Sequence, residues 1–185
     1  MNKLTILPAG AALLLTLACG GGGGSSGTPA KQLAYTDPST TSGWRLQLDP
    51  ASPPSPTTHV VLDLLPPANI TGNAVTVLLT VNPAVAKWSY VAGTSYATQT
   101  PFATTPPVDV AGVQGGALGI VLGQPVTAAP VSFGDGTTMV VQVALDLATG
   151  ADTGDAGLAA TQGGFLGAAG PVASITVAAG SLEAK

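Results

Sequence analysis

The apolar residues of this chain come in short β-branched runs with a period of two, and proline or glycine closes most of the runs. Residues 58–65 read THVVLDLL and stop at Pro66-Pro67. Residues 73–81 read NAVTVLLTV, with Ala74, Thr76, Leu78 and Thr80 alternating against Val75, Val77, Leu79 and Val81. The longest alternation, residues 138–147 (TMVVQVALDL), sets Val140, Gln142, Ala144 and Asp146 on one face and Met139, Val141, Val143, Leu145 and Leu147 on the apolar one. Successive strand side chains point to opposite faces, and β-branched residues fit a pleated surface, so each run reads as a strand with one face for a core.

The rest of the chain keeps the same grammar. Residues 32–36 form a short strand. Residues 43–49 (GWRLQLD) oppose Trp44, Leu46 and Leu48 to Arg45, Gln47 and Asp49, and a proline-rich break follows over 50–56. A strand over 85–91 carries Trp88 and Tyr90, and a Thr/Pro-rich stretch covers 98–107. Residues 108–113 and 117–122 pair through a turn at Gln114-Gly115-Gly116. Residues 129–133 lead into a second turn at Gly134-Asp135-Gly136, where Asp135 is a turn residue. A glycine-rich loop spans 149–157, a closing strand spans 171–178 (PVASITVA), and 180–185 form a tail. After the first 18 residues only 156–166 leave room for a helical turn. The pattern predicts an all-β fold, a single β-sandwich of about nine strands of jelly-roll or Ig-like type, with no internal repeat.

Composition agrees and excludes one class of partner. Hydrophobic residues make up 45% of the chain, enough to bury a core, so the 25 glycines and 16 prolines punctuate strands rather than mark disorder. Charged residues are 8%, against about 25% in ordinary globular domains. Five Lys and Arg stand against nine Asp and Glu, and Lys31, Arg45, Lys87 and Lys185 are scattered. Nucleic acid needs clustered cations to neutralise phosphates, so it is excluded as a partner.

The N-terminus is built differently. Lys3 precedes an apolar run over residues 4–17, which matches the charged and hydrophobic regions of a secretory signal. The run is short of the roughly 20 residues of a membrane-spanning helix. It ends at Thr16-Leu17-Ala18-Cys19, and Cys19 is the sole cysteine of the chain. This segment resembles the lipobox of bacterial lipoproteins, with Thr16 where Leu is usual. The resemblance implies cleavage between Ala18 and Cys19, lipidation of Cys19, and attachment to the membrane through buried acyl chains. No Asp follows Cys19, which implies the outer membrane or cell surface of a bacterial envelope. The glycines and serines after Cys19 read as a flexible tether spanning roughly 15 Å. The expected organisation is a signal peptide over 1–18, a tether over 19–30 and a sandwich over 31–185.

Four stretches within residues 43–182 carry a second resemblance. They are THVVLDLLPPANITGNAVTVLLTV, VDVAGVQGGALGIVLG, and TMVVQVALDL followed by PVASITVAAGSL. In order and pattern they are similar to cohesin-like sandwiches within the wider Ig-like group. The resemblance implies a module that binds a small calcium-bearing dockerin or serves in surface assembly. It transfers no binding residue.

No catalytic set stands out. His59 is the only histidine, and Asp63, four residues along the same strand, lies about 13 Å away by strand rise, too far to orient it. No G-x-S-x-G elbow is present. One histidine and no second cysteine cannot make an ordinary zinc site, and no C-x-x-C-H is present for covalent haem. The only Glu is Glu183, in the expected tail, which leaves no obvious glycosidase pair. No cofactor is expected. Calcium is the one metal worth weighing, because Asp146, Asp152 and Asp155 fall within DLATGADTGDAG beside a glycine-rich turn. The spacing is not that of an EF-hand, and a plain solvated loop is the competing reading. Trp44, Trp88, Tyr90 and Tyr96 are candidate sugar-stacking rings, and Trp88 and Tyr90 share strand parity; core packing is the competing reading. Asn69-Ile70-Thr71 matches an N-glycosylation pattern, which carries little weight in a bacterial lipoprotein. These readings favour a non-catalytic, lipid-anchored envelope module that binds a protein partner. The alternative is a carbohydrate-binding lipoprotein with Trp88 and Tyr90 as its platform.

Overall fold

A computed structural model describes residues 27–89, 102, 108–168 and 170–185. Ala18, Cys19, residues 20–26 of the expected tether, Tyr90 and Tyr96 lie outside the described residues. Fourteen strands and no helix are found among those described. They are β1 (Leu33–Thr36), β2 (Trp44–Leu48), β3 (His59–Leu65), β4 (Thr71–Thr80), β5 (Ala86–Trp88), β6 (Val108–Gln114), β7 (Ala117–Gly123), β8 (Val131–Ser132), β9 (Val141–Leu147), β10 (Gly154–Asp155), β11 (Ala159–Gly167), β12 (Val172–Ser174), β13 (Val177–Ala178) and β14 (Ser181–Ala184).

Two sheets form the predicted sandwich. One has the order β13-β2-β3-β9-β5, and the other β12-β11-β4-β7-β6, with β8 added beside β4. A third, small sheet has the order β1-β14-β10. The period-two runs decide which side chains meet between the layers. Leu46, Leu62, Leu64, Val141, Val143 and Leu145 come from the first sheet, and Val75, Val77, Leu79, Leu118, Ile120 and Leu122 from the second; all are buried in one cluster. The rings of Trp44, Phe102, Phe133 and Phe165 gather in the same core, with centroid separations of 5.4–6.1 Å. Tilted and edge-on ring pairs of this kind each contribute about 0.5–1.5 kcal/mol beyond area burial.

The structure corrects the sequence reading at the C-terminal third. Residues 156–166 hold no helical turn; β11 runs through them, paired on both sides by β4 and β12. Gly163 and Gly164 explain why the pattern hides this strand. A Cβ on Gly163 would meet Ile175, and one on Gly164 would meet Thr76 and Val172, so close packing requires residues that carry no periodic signal. The single closing strand expected over 171–178 is two strands. The chain leaves β12 in one sheet, crosses at Ile175, and joins the other sheet as β13, parallel to β2. The expected tail forms β14, the middle strand of the small sheet, with Leu182 fully buried.

Among the described residues the entry segment is tied down from Thr28 onward. The Thr28 carbonyl accepts from Thr153 N, and Ala30 N donates to Ala151 O, both at 2.8 Å. Lys31 N and Gln32 N then donate to Lys185 O, and Lys185 N donates to Gln32 O. No helix among the described residues is long and apolar enough to cross a membrane.

Candidate functional site

The two outer faces of the sandwich differ in chemistry. On β4, Val75, Val77 and Leu79 point inward, so Ala74, Thr76, Leu78 and Thr80 face out, each half-buried. On β7, Leu118, Ile120 and Leu122 point inward and leave Gly119 and Val121 outside. Register then builds rows across the sheet. Ser174, Gly164, Thr76, Val121 and Val110 lie side by side, and the next row holds Gln162, Leu78, Gly119 and Gly112. Every residue in both rows is uncharged. The glycines lower the floor, and a shallow trough of about 530 Å³ runs over Thr76, Leu78, Gly119, Val121, Gln162 and Gly164. Val110, Val121 and Val172 stand at 60%, 41% and 64% exposure on this surface. Exposed valine on a face without charges is costly in water and marks a surface suited to a partner.

The opposite outer face is polar. One row sets Gln47, Asp63 and Gln142 side by side, and another sets His59, Asp146 and Lys87. Gln142 Nε2 donates to Asp63 Oδ1 at 3.1 Å. Burial pushes the Asp63 carboxyl above its ordinary range; the Gln142 hydrogen bond opposes this, and the Asp49 charge adds to it. Asp146 Oδ1 lies 2.6 Å from His59 Nδ1. Sequence reasoning tested His59 against Asp63 on its own strand and missed this cross-strand partner, because register is not written in the alternation.

The residues weighed for calcium do not gather. Asp146 is engaged with His59, the backbone of Asp152 pairs with that of Pro29 in a β-bridge, and Asp155 Oδ1 accepts from Gly157 N at 2.8 Å. No group of three His, Cys, Asp or Glu able to hold a metal is found among the described residues. Trp88 does not present a flat surface ring. Among the described residues its strand pairs only with β9, its side chain is buried in the core cluster, and its Nε1 donates to Gly116 O at 2.9 Å. Trp44 is likewise a core ring. Asp135 is the expected turn residue, accepting from Thr137 N and Oγ1, and these bonds lower its pKa.

No family model matches this sequence, and no curated protein matches it. The fold is similar to solved cohesins. A type II cohesin domain from the cellulosome of Acetivibrio cellulolyticus superposes with a TM-score of 0.55 at 16% identity, covering 77% of this chain and 95% of that one. The sixth cohesin of scaffoldin B from the same organism, solved in complex with a mutant dockerin, gives 0.50 at 9% identity over 76% and 96%. The seventh ScaB type I cohesin of Pseudobacteroides cellulosolvens gives 0.50 at 9% identity over 75% and 87%. The sandwich is therefore cohesin-like in fold.

Proposed function

We propose that this chain is a non-catalytic protein-interaction module, carried on a lipid anchor at Cys19, and that it docks its partner on the uncharged outer face of the β12-β11-β4-β7-β6 sheet. One observation carries the reading: that face exposes Val110, Val121 and Val172 around a glycine-floored trough, while the opposite face holds the charges. The cohesin-like fold supports it, since one similar cohesin was solved bound to a dockerin. The occupant is a protein presenting a neutral, partly apolar surface, because a charged partner would lose hydration here without an opposite charge to meet.

Immobilised wild-type protein is compared with Gly119→Lys, Val121→Glu and Lys87→Glu for what each retains from the organism's envelope extract. A Cβ on Gly119 has ordinary space, with Leu78 at 3.9 Å, and the unfolding midpoint of each variant checks that the fold is kept. The expected result is a protein held by wild type and Lys87→Glu and lost from the two outer-face variants. Retention indifferent to those charges would overturn the placement. Cys19→Ala tests the anchor: the variant is expected in the soluble fraction, and membrane retention equal to wild type would overturn it.

A further inference from the structure

Among the described residues Arg45 is a fixed cation without a counter-ion. Its Nη1 donates to Gly43 O and Pro66 O, both at 3.3 Å, and its Nη2 donates to Gly136 O at 3.2 Å. Among the described residues no carboxylate oxygen lies within the 4.0 Å that defines an ion pair with it. A guanidinium has five N–H groups, so two are left without a protein acceptor there. Across a hollow of about 200 Å³ stands Asp63, on the next strand, 8% exposed. Its Oδ1 accepts from Gln142, and Oδ2 has no hydrogen-bond donor among the described residues. Donor and acceptor thus line one space without touching, walled by Gln47, Thr137, Leu65 and Pro50.

We propose that this hollow binds a vicinal diol of a sugar ring, one hydroxyl accepting from the Arg45 guanidinium and its neighbour donating to the Asp63 carboxyl. Charge selects against ions. Asp63 and the neighbouring Asp37, which lines an adjoining hollow with Arg45, disfavour an anion, and the guanidinium disfavours a cation. A bridging group must accept at one end and donate at the other, which adjacent hydroxyls do. The Gln47 amide makes no hydrogen bond among the described residues and offers both roles. Thr137 Oγ1 already donates to Asp135 at 2.6 Å, so it presents lone pairs to the hollow. Leu65 and Pro50 supply apolar contact for the C–H face of a ring. The volume lies below the usual range of about 300–1,000 Å³ for drug-sized ligands, which fits a single ring. This site is on the opposite side of the sandwich from the uncharged face and does not depend on that reading.

The test titrates the isotope-labelled chain with methyl α-mannopyranoside, methyl β-glucopyranoside, acetamide and sodium acetate, following backbone amides by NMR. Saturable shifts at Gln47 and Thr137 are expected with at least one glycoside. Affinity should weaken about tenfold or more in Gln47→Ala and Asp63→Leu, the loss expected when a hydrogen bond to a charged or buried group is removed. Gln47 is only partly buried, so its variant is expected to keep the fold if Asp63→Leu does not. Absence of shifts with both glycosides would overturn the site. Equal shifts with acetamide or acetate would overturn the diol assignment, and shifts unchanged in Gln47→Ala would overturn the placement.

Discussion

His59 and Asp146 stand directly opposite each other on β3 and β9, with Nδ1 and Oδ1 2.6 Å apart. The contact is short, yet both side chains are about half exposed, so water screens it and competes for both partners. Asp146→Ala should therefore cost less than about 1 kcal/mol in urea unfolding. A larger loss would mean that the pair organises the β3–β9 ladder beyond its own charge.

Asp63→Asn should stabilise the protein at neutral pH. The folded carboxyl has a raised pKa, so the native state holds its proton where the unfolded chain has released it. Stability contributed by that proton is present at low pH, falls as pH rises from the ordinary carboxylate range to the folded value, and stays lost above it. The amide keeps an acceptor for Gln142 and carries no charge. Unfolding midpoints of variant and wild type should converge in acid and separate above it, with the variant higher.

Gly180→Ala should be strongly destabilising. Gly180 has φ +69°, and a methyl there would strike Thr36 O and come within 2.6 Å of Tyr35 Oη. That phenol is itself committed, its single O–H shared between Leu46 O at 3.0 Å and Ala179 O at 2.9 Å, with burial and the Asp37 charge holding it neutral. A cost of about 1–3 kcal/mol is expected from the backbone alone. Gly112→Ala is the control, since a Cβ there meets nothing within 4 Å; its melting temperature should equal or exceed wild type.

Trp88→Phe should cost about 1–3 kcal/mol, because Gly116 O loses its indole donor and the core loses volume. The bond joins β5 of one sheet to the β6–β7 turn of the other, so it bridges the layers. Equilibrium denaturation checks it. A neutral outcome would show that Gly116 O, which also accepts from Val81 N at 2.8 Å, is satisfied without the indole.

Much of this fold is legible in the sequence because the core strands alternate. β3, β4, β7 and β9 carry aliphatic residues at their inward positions, and their burial follows the period. β11 is not legible, since Gly163 and Gly164 have no side chain to alternate. β14 is short, and half of its residues are exposed; it is a strand because β1 and β10 flank it. The neutral face is present in the run 73–81 as Ala74, Thr76 and Leu78, but only the register of its neighbours turns those positions into a surface. Arg45 and Asp63 meet across one hollow through the pairing of β2 with β3 and the approach of the loop at Gly136, neither of which is encoded locally.

The pairing of β1 with β14 sets Leu33 opposite Ala184, so the strands run antiparallel and both ends of the folded chain leave from the same side. Tension drawn through Thr28 reaches the rungs at Thr153, Ala151 and Lys185 before it reaches the sandwich. Those rungs are loaded in series, like the teeth of a zipper, and open in succession. The long ladders of β3, β4, β7 and β9 lie behind them and bear little load until the zipper has opened. Under traction applied at Thr28, the entry segment yields first and the sandwich behind it keeps its shape.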